Sequence, residues 1–125
     1  MNKYKELSKD ERIKKEIDKL RGIFTDINES EFKTVEELIN RAGYMLATLQ
    51  DYEKDIDENG YVEMFSQSPN VEPYERERPV IRLYNTLSKN YQSIIRQLAQ
   101  MLPNKPDTDD GFDDFLKRGF DKNTQ

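Results

Sequence analysis

The sequence predicts an all-α protein built on an antiparallel pair of long heptad helices, with a shorter helix before them. Three observations lead to this prediction: apolar residues recur with helical spacing in one short and two long segments, each long segment ends at a helix-breaking residue, and the apolar content is low. Of the 125 residues, 34% are apolar and 36% are charged, whereas an average globular chain is about 45–50% apolar with glycine counted. We therefore expect a thin core, or a core shared between subunits.

The first predicted helix covers residues 8–24. Ser8 and Glu11 have the spacing of a capping box, in which the hydroxyl and the carboxylate satisfy backbone amides at the start of the helix. Spacings of four, three and four residues place one narrow apolar stripe on this helix. The stripe consists of Ile13, Ile17, Leu20 and Phe24.

The second segment has the strongest helical pattern in the chain. It begins either with Asn28 and Glu31 or with Thr34 and Glu37, because both pairs suit a helix start. It ends at Asn59–Gly60, a pair suited to a left-handed cap, which gives a helix of about 30 residues and about 45 Å. Spacings of three and four alternate along a heptad seam. The seam, a candidate for core or oligomer contacts, consists of Val35, Leu38, Ala42, Met45, Leu49, Tyr52 and Ile56.

Residues 61–78 interrupt the helical period before a third helix. Their first part has a strand-like composition, but Pro69 and Pro73 break it, so a short β-hairpin and an ordered loop both fit. The third helix is predicted from Pro79 to Leu102, and Pro103 stops it. Its seam repeats the same spacing with Tyr84, Leu87, Tyr91, Ile94, Leu98 and Met101. We expect the two seamed helices to pack as an antiparallel pair.

The chain divides into a helical domain, residues 1–103, and an acidic tail, residues 104–125. The tail has five aspartates between positions 107 and 114. It also carries an apolar set without a core of its own: Phe112, Phe115, Leu116 and Phe120. Docking of these side chains on a partner protein, an inert flexible tail and weak cation binding all fit such a sequence.

The residue types that are missing exclude most enzyme classes. The chain has no His and no Cys, which removes disulfides, zinc–thiolate and iron–sulfur sites, thiol nucleophiles and imidazole bases. Asp55–Gly60 matches the first half of a calcium-binding loop, but Ser66 stands where that loop needs a bidentate glutamate. We therefore expect no metal, no cofactor and no catalysis. No apolar run has the length of a membrane span and no secretory signal is present, which predicts a cytoplasmic protein.

Two rows of basic residues are candidates for DNA contacts, although the net charge is −5. The row on the first helix consists of Arg12, Lys14, Lys15, Lys19 and Arg21. Within it, Arg12, Lys15 and Lys19 are expected on one face, opposite the apolar stripe. The row on the third helix consists of Arg82, Lys89 and Arg96, seven positions apart and away from the seam. Such rows can follow a phosphate backbone or belong to solvated faces with i,i+4 ion pairs, and the second row could also pair with acids of a neighbouring subunit.

The order of residues from the second helix onward resembles a known family. The stretches that carry the likeness are DYEKDIDENGY at 51–61, VEPYER at 71–76, RPV at 78–80, LYNT at 83–86, Tyr91 and IIRQL at 94–98. They are similar to the small terminase subunits of tailed bacteriophages, in the class that accompanies an HNH-type packaging cluster. The resemblance covers residues 28–103 and includes no catalytic motif.

This resemblance implies a non-enzymatic DNA-packaging adaptor that acts in the cytoplasm of an infected bacterial host cell. Such proteins assemble into homo-oligomeric rings, recognise double-stranded phage DNA and deliver it to the large terminase subunit, which carries the ATPase and the nuclease. The portal protein is a further implied partner. Many small subunits read DNA with a helix-turn-helix, and no clear one precedes the long helices here.

The alternative is a helical structural or regulatory module that binds protein and not nucleic acid, which the pI near 4.9 favours.

Overall fold

The computed structural model describes residues 7–102, which form three helices and one β-hairpin. Helix α1 spans Lys9–Ile23 and α2 spans Glu29–Asn59, and strands β1 (Val62–Phe65) and β2 (Tyr74–Glu77) lead into helix α3 (Pro79–Gln100). The prediction of a mostly helical fold is confirmed, and of the two alternatives for the link the chain forms the hairpin. Within these residues, none of the helices is both long enough and apolar enough to cross a membrane.

Helix α1 begins at the predicted capping box. The Ser8 hydroxyl accepts the N–H of Glu11 at 3.1 Å, and the Glu11 carboxylate accepts the N–H of Ser8 at 2.9 Å. These two bonds satisfy amides that have no partner inside the helix. The start of α1 is therefore set by its own sequence.

Helix α2 begins at the earlier of its two predicted starts, with Asn28 as the N-cap. The Asn28 side chain makes no capping bond, and its amide oxygen instead accepts the Ser30 hydroxyl at 2.9 Å. The helix ends at Gly60, whose φ of 84° lies in the left-handed region where glycine has no Cβ penalty. The Gly60 N–H donates to the Ile56 carbonyl at 2.7 Å. The 31 residues of α2 give a helix about 46 Å long.

The hairpin connects the end of α2 to the start of α3. β1 and β2 pair antiparallel, with Val62 opposite Glu77. The N–H of Arg78 donates to the carbonyl of Tyr61 at 2.8 Å and closes the base of the hairpin. Pro79 follows in the first turn of α3, where an N–H has no intrahelical acceptor and its absence is harmless. The hairpin thus returns the chain directly to the helical core.

Helices α1 and α3 both pack against α2 and run in the opposite direction along it. For α1, Arg12 pairs with Asp51 and Arg21 pairs with Glu36. α3 starts beside the end of α2 and returns along it to Gln100, which lies two residues before the predicted limit. The largest fully buried side chains come from all three helices: Leu20, Ile39, Tyr91, Ile95 and Leu98.

The seam residues of α2 and α3 form the core of a single chain. The buried members are Val35, Ala42, Leu49, Ile56, Tyr91 and Leu98. The half-buried members are Leu38, Met45, Tyr52, Tyr84, Leu87, Ile94 and Met101. α1 adds Leu20, Ile23 and Phe24 to the same cluster, so the expected helix pair is a three-helix core. An oligomer contact along these seams would have to compete with packing that the chain already provides.

Candidate nucleic-acid interface

The first basic row is divided, because Arg12 does not lie on the outer face expected for it. Its guanidinium lies against α2 and donates to the Ala47 carbonyl at 3.1 Å, the Gln50 amide oxygen at 3.0 Å and the Asp51 carboxylate at 2.8 Å. The long arginine stem lets the charged group reach around the flank of α1, and a charge-assisted bond to a carboxylate holds it there. Arg12 therefore fastens α1 to α2.

Two further members of this row are also paired within the chain. Arg21 donates to both oxygens of Glu36, at 2.9 and 3.2 Å, and this hydrogen bonding and charge raise the pKa of Arg21 above its ordinary value. Lys14 pairs with Asp18 at 3.0 Å, one turn along an exposed surface. This i,i+4 pair fits the solvated-face interpretation of Lys14.

Lys15 and Lys19 are the members of the first row whose positive charge has no ion-pair partner within the described residues. Lys15 is exposed and Lys19 is half-exposed, and neither has an ion pair with any residue between positions 7 and 102. Glu11 and Asp18 are exposed on the same helix. The positive potential of this surface is therefore weak.

The second basic row has a different electrostatic setting. Arg82 and Lys89 are exposed and Arg96 is half-buried, and the described part of the chain offers none of them an ion pair. α3 contains no aspartate or glutamate at all. The three cations are each about 10 Å apart along the helix axis, with hydroxyl and amide side chains between them. This row is an uncompensated positive face on a rigid element.

The start of α3 is fixed by a network at the end of α2. Arg78 donates to the Asp55 carboxylate and to the Gly60 carbonyl, both at 2.8 Å. Hydrogen bonds from Asn59 and Arg78 hold the pKa of Asp55 below its ordinary value. These contacts tie the base of the hairpin to α2, so the direction in which α3 leaves the hairpin is determined.

A second contact at this junction joins Tyr84 of α3 to Glu53 of α2. The Tyr84 hydroxyl donates to the Glu53 carboxylate at 2.9 Å. Burial first, and then this hydrogen bond and the neighbouring negative charge, raise the pKa of Tyr84 to about 12. The phenol therefore keeps its proton and its bond over the physiological pH range, and this bond helps to hold α3 in place.

Sequence reasoning missed the structural roles of Arg12 and Arg78. Arg78 directly precedes Pro79, and that position gave a signal, since a residue before a helix-opening proline is held in an extended conformation. Arg12 gave no comparable signal, because its partners lie 35–39 residues away in sequence. Between residues 7 and 102, no group of three acidic, histidine or cysteine side chains could hold a metal ion.

The proposed docking residues of the tail lie outside the described residues. These are Phe112, Phe115, Leu116 and Phe120.

Comparisons with protein families, characterised proteins and solved structures found no match to this chain. Over residues 7–102 the fold consists of three helices and one hairpin, and α3 is a basic helix without acidic residues.

Proposed function

We propose that this chain is a non-catalytic adaptor for viral DNA packaging. It assembles with copies of itself, binds double-stranded phage DNA and delivers it to the large terminase subunit, with the portal as a further partner, in the cytoplasm of the infected host. The resemblance over residues 28–103 supplies the packaging context. The observation that carries the DNA contact is the uncompensated row Arg82, Lys89 and Arg96 on a helix without acids.

The DNA contact is electrostatic. Each phosphate that a lysine or arginine neutralises releases counterions, which favours binding without any base contact. Arg12, Arg21, Arg76 and Arg78 already neutralise carboxylates of the same chain, and a phosphate would have to displace those partners. The row on α3 has no such competitor among the described residues, so α3 is the preferred surface.

Lys15 and Lys19 of α1 contribute a second and weaker contact. A single chain offers few phosphate contacts, and its net charge of −5 opposes binding at long range. An assembly of several chains presents the same row several times to one duplex, and the second contact on a shared ligand forms at a high effective concentration. The proposal therefore depends on self-assembly for useful affinity.

Replacement of Lys89 and Arg96 together by alanine tests the DNA contact. We expect weaker binding to a duplex and a plot of log affinity against log salt that is flatter by about 2 units, because about 0.9 counterion is lost per missing contact. Fluorescence anisotropy with a labelled duplex, over a range of salt concentrations, measures both quantities. Arg82 is left unchanged because it lies beside the exposed Leu83 at the start of α3, where its loss would not report on DNA binding alone.

The matched control removes two positive charges from another exposed surface. Lys33 and Arg41 of α2 are exposed and have no ion pair within the described residues, so their double alanine variant has the same net charge. An equal loss of binding in both variants would mean that net charge alone governs the affinity, which contradicts a contact on α3.

The alternative function is a helical module that binds protein and not nucleic acid. The exposed apolar side chains of the hairpin, such as Met64 at 66% exposure, favour a protein contact of some kind. A mobility-shift assay with duplex DNA at low salt separates the two functions, since the alternative predicts no complex at any protein concentration.

A further inference from the structure

The exposed apolar side chains of the described chain are concentrated around the hairpin. Nine large apolar side chains between residues 7 and 102 are exposed, and six of them lie in residues 61–83. These six are Tyr61, Val62, Met64, Val71, Tyr74 and Leu83. Because the heptad seams are used in the core of the chain, a contact between copies needs another apolar surface, and residues 61–83 provide it.

One face of the hairpin combines apolar side chains with carboxylates. The register places Val62 opposite Glu77 and Met64 opposite Glu75, and side chains of directly opposed residues lie on the same side of a sheet. We call these four residues the hairpin face. Both glutamates are exposed, and no cation among residues 7–102 pairs with either.

The opposite face of the hairpin is already satisfied. Arg76 donates to Glu63 at 2.8 Å, and its guanidinium lies 3.6 Å from the centre of the Phe65 ring. Tyr74 packs edge-on against Phe65, with ring centres 5.9 Å apart. The charges and rings of this side have partners within the hairpin, so it is the hairpin face that lacks them.

The first turns of α3 present the complementary surface. Leu83 is 55% exposed, and the exposed guanidinium of Arg82 beside it has no carboxylate partner in the described chain. Both residues line a groove with Arg76, Glu77 and Pro79, so the edge of the hairpin face lies beside them within one chain. We call Arg82 and Leu83 the α3 face. It offers an apolar contact beside a positive charge, where the hairpin face offers an apolar contact beside two negative charges.

We propose that the hairpin face of one copy binds the α3 face of a second copy. Val62 and Met64 pack on Leu83, and Glu75 and Glu77 approach Arg82. The occupant is a second copy because one chain carries both halves of the contact, with opposite charges. The inference rests on the self-assembly in the proposed function and assigns residues to it. In the assembly Arg82 serves the contact between copies, and Lys89 and Arg96 are the members of the α3 row that bind DNA.

The other exposed apolar side chains make poorer sites. Tyr44 lies under the Lys9 ammonium, 4.7 Å from the ring centre, and so has a partner. Phe32 is at the first turns of α2, and Leu7 is at the edge of the described chain. Val62 and Met64, in contrast, lie two positions apart on one face of the hairpin.

Charge reversal of the two faces tests this contact in the full chain without DNA. One variant carries Glu75→Arg and Glu77→Arg, and the other carries Arg82→Glu. We expect the unaltered protein to elute as an assembly of several 14.9 kDa chains and each variant alone to dissociate, because like charges then face each other across the contact. Light scattering coupled to gel filtration measures the mass.

A mixture of the two variants provides the rescue. The reversed hairpin face of the first variant is complementary to the reversed α3 face of the second, and the two unaltered faces remain complementary to each other. We expect the mixture to assemble where each variant alone does not. Circular dichroism checks that both variants keep their helical content, so that loss of assembly cannot be ascribed to unfolding.

A matched control reverses charges elsewhere. Glu37 and Arg41 are exposed on α2, and their reversal should leave the mass unchanged. A single-chain mass for the unaltered protein, full assembly of either variant alone, or failure of the mixture to assemble would overturn the inference. An assembly that binds DNA but that neither charge-reversal variant disrupts would overturn this contact alone, whereas an assembly that does not bind DNA would overturn the proposed function and leave the contact standing.

Discussion

At the scale of single residues, Gly43 marks a close approach between α1 and α2. A Cβ at this position would lie 2.8 Å from Cγ1 of Ile17 and 3.2 Å from the carbonyl oxygen of Ile13. Alanine normally stabilises a helix interior by about 1 kcal/mol relative to glycine, but here the extra methyl group would push the helices apart. We expect Gly43→Ala to lower the free energy of unfolding by about 1–3 kcal/mol, measured by urea titration.

Gly22 provides the opposite case within α1. A Cβ there would meet nothing within 4 Å, so Gly22→Ala should gain helix propensity without a clash and raise the free energy of unfolding by up to about 1 kcal/mol. The two substitutions are chemically identical, and only the packing differs. If Gly43→Ala also raised the free energy of unfolding, the contact between Gly43 and α1 would not be tight.

Single residues also show what the sequence could not reveal. Gly43 is an isolated glycine in a strong heptad pattern, which indicates a packing reason but does not name the partner. The sequence places Arg12 in a DNA-facing row because its angular position on α1 is close to that of the outer lysines. Its actual position depends on Asp51, and contacts over such sequence distances are set by how the helices pack, which periodicity does not specify.

At the scale of elements, the junction between α2 and α3 gives stability a defined dependence on acid. The folded protein lowers the pKa of Asp55 below 3.8 through Asn59 and Arg78. The resulting stability is fully present above pH 3.8 and is lost as the pH falls through the lower, folded value. We expect Asp55→Asn to destabilise the protein at pH 7, and the difference in unfolding free energy to shrink below pH 3.8.

Asp57 supplies the control for this experiment. It lies two residues after Asp55 on α2, is exposed, and has no ion pair within the described residues. Asp57→Asn removes the same charge without removing a bond to Arg78, and should therefore destabilise the protein less at pH 7 than Asp55→Asn does. A parallel response of both variants would show that general charge effects, and not the bond to Arg78, set the acid dependence.

The elements with local signals were predictable from the sequence, and those with long-range partners were not. The capping box at Ser8 and the cap at Gly60 are local, and the structure has both where they were expected. The link between the long helices left hairpin and loop open, because cross-strand pairing across Pro69 and Pro73 depends on register. The contribution of α1 to the core is likewise not predictable, since the apolar stripe on α1 does not specify which seam it packs against.

At the scale of the whole molecule, the net charge of −5 averages over unlike elements. α2 has nine acidic and three basic residues, and arginines from α1 and from the base of α3 neutralise part of this excess. α3 has three basic residues and no acid. Within residues 7–102 the chain therefore separates an acidic α2, which neighbouring arginines partly neutralise, from the basic α3, and this is how an acidic protein can still offer a surface to a polyanion.

The same organisation predicts that DNA affinity depends on assembly. Met64→Asp places a charge on the apolar part of the hairpin face and not on α3, whose 22 residues span about 33 Å, and should prevent self-association. A single chain then loses the effective concentration that an assembly provides, so we expect the dissociation constant for a long duplex to rise about 100-fold. Fluorescence anisotropy measures the affinity, and a mass measurement checks the loss of assembly.

Phe32→Asp adds the same charge to an exposed ring on another surface and should leave both mass and affinity nearly unchanged. Single chains of Met64→Asp that bind DNA as tightly as the unaltered protein would show that the basic row of one α3 helix suffices.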